Sequence, residues 1–253
     1  MIPVFPDTKV ALKGKKGLIV GIANDQSIAW GCAKAFRALG ADLAVTYLND
    51  RAKKHVEPLA QALEASIFMP MDVMVEGQTE QVFERIGKEW GQLDFLLHSI
   101  AFSPKEALHG RVVDVNRDGF LKTMDVSCWS FLRMAHLAEP LMKNGGTMFT
   151  MTYYGSQMVV ENYNIMGVAK AALESAVRYM AASWGRKEFV YTLSHRGRWL
   201  HGQPPEFRSL TTSSTGPRAR HPLAVWSASK TLALRPRFSP RRHASHHRLH
   251  ALR

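Results

Sequence analysis

Over the first 182 residues, short apolar runs alternate with stretches whose apolar residues recur every three or four positions, and few topologies accept that order. Gly17 to Ala23 is an apolar run ending in turn residues and predicts a buried strand. Ser27 to Leu39 follows, with Ile28, Cys32, Ala35, Phe36 and Leu39 at helical spacing and Gly40 as the stop. The order repeats as strand 42–47 and helix 50–63, strand 66–71 and helix 76–90, then strand 93–100. An irregular loop leads to a long helix over 126–142, then to strand 146–152 and a long helix over 162–184. Strands alternating with helices of this length predict an α/β fold, a doubly wound parallel sheet with right-handed crossovers. Ligands then belong at the carboxyl ends of the strands.

After residue 182 the pattern stops. Fourteen of the 33 Lys and Arg residues, but 2 of the 21 Asp and Glu, lie between Trp184 and Arg253. The net charge of +12 is therefore a property of this tail, and residues 1–183 are balanced. No apolar run is long enough to span a membrane, and the N-terminus lacks a secretory signal. Cys32 and Cys128 lie in apolar helical patterns and read as buried thiols of a reducing compartment, so the expected location is cytoplasmic.

Three positions carry cofactor chemistry. Between the first strand and helix, Gly21 permits a tight turn, and Ser27 stands where an N-cap belongs, ahead of Ile28. The free amides behind Ser27 form an anion site suited to a pyrophosphate. The spacing is not G-x-G-x-x-G, so the loop alone fits an ordinary strand–turn–helix equally well. Asp72, followed by Val73, closes the third strand, where a carboxylate can accept from an adenine amino group. Ile100 ends the fourth, where backbone passes a nicotinamide ribose. Asp50, after the second strand, disfavours a 2′-phosphate, so NADH is preferred to NADPH, although Arg51, Lys53 and Lys54 follow closely.

The catalytic candidates follow the fifth strand. Tyr163 precedes Lys170 by seven positions, about two helical turns or ~10.5 Å of rise, on one helix face. The lysine points back toward the helix N-terminus, and its ammonium is expected to lower the tyrosine pKa and to bind a ribose. The tyrosine can donate to a developing enolate oxygen. A lone Tyr-x6-Lys is worth little. Here it follows the fifth strand of a doubly wound sheet, ten residues after Tyr153.

With these residues in place the sequence resembles the NADH-dependent enoyl-acyl-carrier-protein reductases of bacterial fatty-acid synthesis, members of the short-chain dehydrogenase/reductase superfamily. The matching stretches are GIANDQSIAWG, TYLND, MDV, HSIAFSP and MTYYGSQMVVENYNIMGVAKAALESAVRYMAA, within residues 9–182. The resemblance implies a Rossmann-like fold and hydride transfer from NADH to the β-carbon of a trans-2-enoyl thioester carried on acyl carrier protein. It implies that Tyr163 stabilises the enolate and Lys170 binds the nicotinamide ribose. Tyr153 and Ser103 would line the substrate site, and Gly21, Ser27, Ile28, Asp72, Val73 and Ile100 would contact NADH. No metal site is implied.

The tail departs from the resemblance. Residues 1–182 read as one NADH-binding and catalytic domain, and 183–253 as a basic tail that is out of frame and largely disordered. Codons for Lys187 to Trp199 can be chosen so that a shifted frame reads GIRVHAISPGPL, which resembles the family's next strand and Pro-Gly turn. On this reading the fifth strand loses its neighbour, unless residues 189–194 form a short strand. The family's homotetramer, which uses the lost last strand, is not expected. The chain as written is then expected to be poorly stable, with little or no activity.

Two other functions are open to such a chain. A short-chain reductase acting on a carbonyl substrate would carry tyrosine four positions before the lysine, where Met166 stands. A nucleic-acid-binding protein could use the basic tail, which holds no recognisable module.

Overall fold

The computed structural model describes residues 11–184 and the backbone of 189–195. Five parallel strand pairings build one six-stranded sheet in the order β3-β2-β1-β4-β5-β6. The strands are β1 (Lys16–Val20), β2 (Asp42–Tyr47), β3 (Ile67–Pro70), β4 (Phe95–His98), β5 (Gly146–Thr152) and β6 (Phe189–His195). The helices between them are α1 (Ile28–Ala38), α2 (Asp50–Ala62), α3 (Gln78–Trp90), α4 (Lys105–Leu108), α5 (Arg117–Met124), α6 (Ser130–Ala138) and α7 (Asn164–Trp184).

β1, β2 and β4 bury both faces, as the unbroken apolar runs require. On one face, Leu18, Leu96 and Met148 pack under Val82 and Ile86 of α3, Phe131 and Met134 of α6, and Leu173 and Val177 of α7. On the other, Ile19, Leu43, Val45 and Leu97 pack under Ala29 and Ala33 of α1 and Val56 and Ala60 of α2. The chain reverses direction across the sheet between β1 and β4. The carboxyl ends of the strands at such a reversal are the place where sheets of this kind bind ligands.

The doubly wound parallel sheet is as the sequence predicts, with two differences. The stretch between Ile100 and Val126 is not an irregular loop. Asn116 caps α5 by accepting from the Gly119 amide (2.8 Å), and α5 runs into α6 through one π-helical turn, Asp125–Trp129. The apolar signal was weak because Phe120 and Leu121 of α5 face outward. The parallel order also continues past residue 182. β6 pairs with all of β5, from Gly146↔Phe189 to Thr152↔His195, so β5 has its neighbour. The expectation of disorder for the rest of the tail concerns residues outside those described. Cys128 is buried and Cys32 half-buried, both as free thiols. Among the described residues, no helix is long and apolar enough to cross a membrane, and no cluster has the make-up of a metal site.

Candidate active site

At the switch point, Gly21 has φ +107°, a conformation L side chains rarely adopt. A β-carbon there would stand 2.1 Å from the Ser99 carbonyl oxygen and 3.2 Å from the Ile100 side chain. Glycine is therefore required for the ends of β1 and β4 to touch. Ser27 occupies the N-cap position of α1 but does not cap it. Its hydroxyl instead accepts from the Ala23 and Asn24 amides, at 3.0 and 3.1 Å. The serine thus fixes the loop, and the first amides of α1 keep no side-chain cap, which suits an anion. Ile28 and Ile100 are both half-buried.

Asp72 receives the Met74 amide on Oδ1 (2.9 Å), while its own amide donates to Gln78 Oε1 (2.8 Å). One carboxylate oxygen serves the local turn, and Val73 beside it packs on the core. Asn49 caps α2 by accepting from Ala52 (3.0 Å), so Asp50 sits in the first turn of that helix.

The Tyr153 and Tyr163 rings meet edge to face at 4.8 Å between centroids. Lys170 is 4% exposed, and its Nζ donates to the Met151 carbonyl at 2.8 Å. Burial brings its pKa down to about 8. For Tyr163 the outcome is opposite to the sequence-based expectation. Burial, with Tyr153 adding to it, raises its pKa to about 12. The ammonium that was expected to lower it is turned to the end of β5. Tyr163 is therefore a neutral donor at physiological pH. The Ser103 hydroxyl is buried, accepting from Thr123 Oγ1 (2.8 Å) and lying 3.4 Å from the Pro104 carbonyl. It is engaged with the protein.

Several residues that shape this site escaped the sequence reading. A β-carbon on Gly155 would lie 2.5 Å from the Tyr163 ring, and one on Gly167 would lie 2.7 Å from the Gly155 carbonyl oxygen. The Tyr163 ring thus rests on a glycine turn, which a second glycine in α7 allows to approach. Asn162 and Asn164, on either side of Tyr163, have φ of 57° and 21°, and asparagine tolerates such values better than most residues. The Asn-Tyr-Asn run and the small residues at 155 and 167 were visible signals. Glu174 and His98 gave none, because a single polar residue in an apolar pattern does not disclose its partners. His98 is fully buried, with Nδ1 2.9 Å from Thr150 Oγ1 and Nε2 2.8 Å from Ser130 Oγ. Burial, with the Lys170 charge adding to it, lowers its pKa to about 3.

A family profile for enoyl-(acyl carrier protein) reductase matches residues 21–190. The chain belongs to this reductase family. It is 48% identical to enoyl-(acyl-carrier-protein) reductase (NADH) 1 of Rhizobium meliloti, over 87% of each protein. A Rickettsia conorii member of the family is 44% identical over 69% of this chain and 67% of its own length. The alignment with the Rhizobium reductase extends past residue 182, whereas that with the Rickettsia reductase spans 174 residues. Among solved structures, the reductase of Anaplasma phagocytophilum in complex with NAD is 46% identical. It superposes with a TM-score of 0.72, covering 75% of this chain and 73% of its own.

Proposed function

We propose that this chain reduces trans-2-enoyl thioesters carried on acyl carrier protein, in type II fatty-acid synthesis, with NADH as reductant. One observation carries the reading: a neutral, partly buried Tyr163 at the head of α7, seven residues before a buried Lys170 at the end of β5. The carbonyl-reductase alternative has no tyrosine four positions before that lysine. NADH, when bound, supplies the hydride that adds to the β-carbon.

The protein's own residues do the rest. The glycine turn at Gly21 and the uncapped amides of α1 suit the pyrophosphate, and a β-carbon at 21 would close that approach. Asp72, with Val73 beside it, would meet the adenine through its free carboxylate oxygen, and Ile28 and Ile100 would contact the rest of the cofactor. Lys170 has three donors, so it can hold the Met151 carbonyl and still reach a ribose hydroxyl. Tyr163 would donate its hydroxyl proton in a hydrogen bond to the thioester carbonyl oxygen as enolate charge develops there. A pKa of about 12 keeps it in the donor form. Tyr153 and Ser103 would line the acyl site, Ser103 with its hydroxyl on Thr123 of α5.

Residues 1–182 are read as the catalytic domain and 183–253 as an out-of-frame tail that lowers activity. The Rickettsia alignment covers 69% of this chain, whereas the family profile reaches residue 190 and the Rhizobium alignment runs past that boundary. A cytoplasmic location accompanies this function. The test is NADH oxidation with a crotonyl thioester by the form whose reading frame is restored near codon 187, compared with NADH affinity. Tyr163→Phe is expected to lose roughly 10²–10³ in turnover, the worth of one positioned oxyanion donor, with NADH affinity kept. Lys170→Ala is expected mainly to weaken NADH binding. Full activity in both variants would refute the assignment.

A further inference from the structure

Glu174 lies one helical turn beyond Lys170 and is 6% exposed. Its Oε1 accepts from Thr152 Oγ1 at 2.6 Å and from Ser156 Oγ at 2.5 Å. Both lie at the short end of the range for hydroxyl donors. An apolar side chain would fill the same space without the cost of burying a carboxylate. What the carboxylate adds is direction, because its two donors bracket Tyr153. Thr152 precedes that tyrosine, and Ser156 ends the short turn closed by the Ser156 amide on the Tyr153 carbonyl (2.9 Å). Lys170 grips the preceding residue through the Met151 carbonyl. One face of α7 therefore fastens residues 151, 152 and 156. The turn so held carries both surfaces against the Tyr163 ring, the edge of Tyr153 and the open face of Gly155.

We propose that Glu174 is a positioning residue, which sets the Tyr153–Tyr163 pair by fastening the Thr152–Ser156 turn to α7. The proposal deepens the reductase reading, and its kinetic arm rests on that reading. Its spectroscopic arm does not.

The experiment uses the full chain with carbon-13 at the tyrosine ζ position, each signal assigned by Tyr→Phe exchange among the 6 tyrosines. Ser156→Ala removes one donor and leaves the carboxylate with Thr152, so the fold is expected to survive. Ser156→Thr keeps the hydroxyl, and Glu174→Gln keeps an acceptor without the charge. Ser156→Ala and Glu174→Gln are expected to shift the Tyr153 and Tyr163 signals and leave Tyr47 and Tyr179 in place. With the reading frame restored near codon 187, Ser156→Ala should lower turnover with a crotonyl thioester about tenfold or more, the scale of a sub-ångström misplacement, while NADH affinity stays within about twofold. Ser156→Thr should restore both readouts. Unchanged Tyr153 and Tyr163 signals in Ser156→Ala and Glu174→Gln would overturn the proposal. So would equal shifts of all tyrosines that the threonine fails to correct. If the signals move as expected but neither the parent nor the variant, each with the reading frame restored near codon 187, oxidises NADH, the positioning role stands and the reductase reading falls.

Discussion

The most severe test of the site geometry is one methyl group, placed by Gly155→Ala. The added β-carbon would lie 2.5 and 2.8 Å from two carbons of the Tyr163 ring and 3.3 Å from the Tyr153 ring. Carbon atoms rest at about 3.5–4.0 Å, so the overlap with Tyr163 is about 1 Å. Retreat of the turn is resisted, because Gly167 would meet the Gly155 carbonyl and Glu174 holds Ser156. The ring must therefore move. Overpacking of this kind costs about 1–3 kcal/mol, and a displacement of about 1 Å in a reacting group costs about 10²-fold in rate. In the form whose reading frame is restored near codon 187, the expected result is a melting temperature lower by several degrees, NADH affinity within about twofold of the parent, and turnover reduced about a hundredfold. Turnover and melting equal to the parent's would show that the turn yields and that the glycine cradle does not set Tyr163.

Three further outcomes follow from the same geometry. His98, with its pKa near 3 in the fold against the usual 6.5, is neutral in the native chain. The unfolded chain binds more protons between about pH 6.5 and 3, so stability falls as the pH drops through that window, by up to about 5 kcal/mol. His98→Gln should flatten this part of a denaturant-melt profile, and an unchanged slope would contradict the buried neutral imidazole. Lys170, lowered from 10.5 to about 8, is disfavoured as an ammonium by the fold. Stability should rise with pH between about 8 and 10.5, by about 3 kcal/mol at most, with the cost fully present below about 8; Lys170→Met should abolish that rise. Gly21→Ala should weaken NADH binding at least tenfold, since the new methyl meets Ser99 backbone at 2.1 Å and the loop must open. Retained affinity there would place the cofactor elsewhere.

The parts of this protein legible in its sequence are those written by periodicity. Continuous apolar runs marked strands buried on both faces, and Gly21, Asp72 and Ile100 stood at their carboxyl ends because turns and chain reversals need particular residues there. Tyr163 and Lys170 were found by spacing and by resemblance. What spacing could not give was the state of their protons. From seven positions of separation an ammonium near the phenol was inferred, yet the lysine turns to Met151 and burial decides the tyrosine's pKa. Ser27 was placed at the right position with the wrong partner, since a cap and a loop staple call for the same residue type. β6 shows a different limit. Residues 189–195 pair with β5 along its whole length, although the composition around them had broken from the preceding pattern. Residues 189–194 were legible only as a possible short strand, because Val190, Tyr191 and Thr192, which favour strands, stand in a polar and basic stretch.

The central claim is that this chain has the catalytic apparatus of an enoyl-thioester reductase and carries a tail that impairs it. The direct measurement is NADH oxidation with a crotonyl thioester, by the purified chain and by a form whose reading frame is restored near codon 187. The restored form is expected to oxidise NADH briskly and to lose this in its Tyr163→Phe variant, and the chain as written to show little or none. No oxidation by either form would contradict the reductase reading. Equal turnover by the two would contradict the reading of the tail and make it a functional extension of the enzyme.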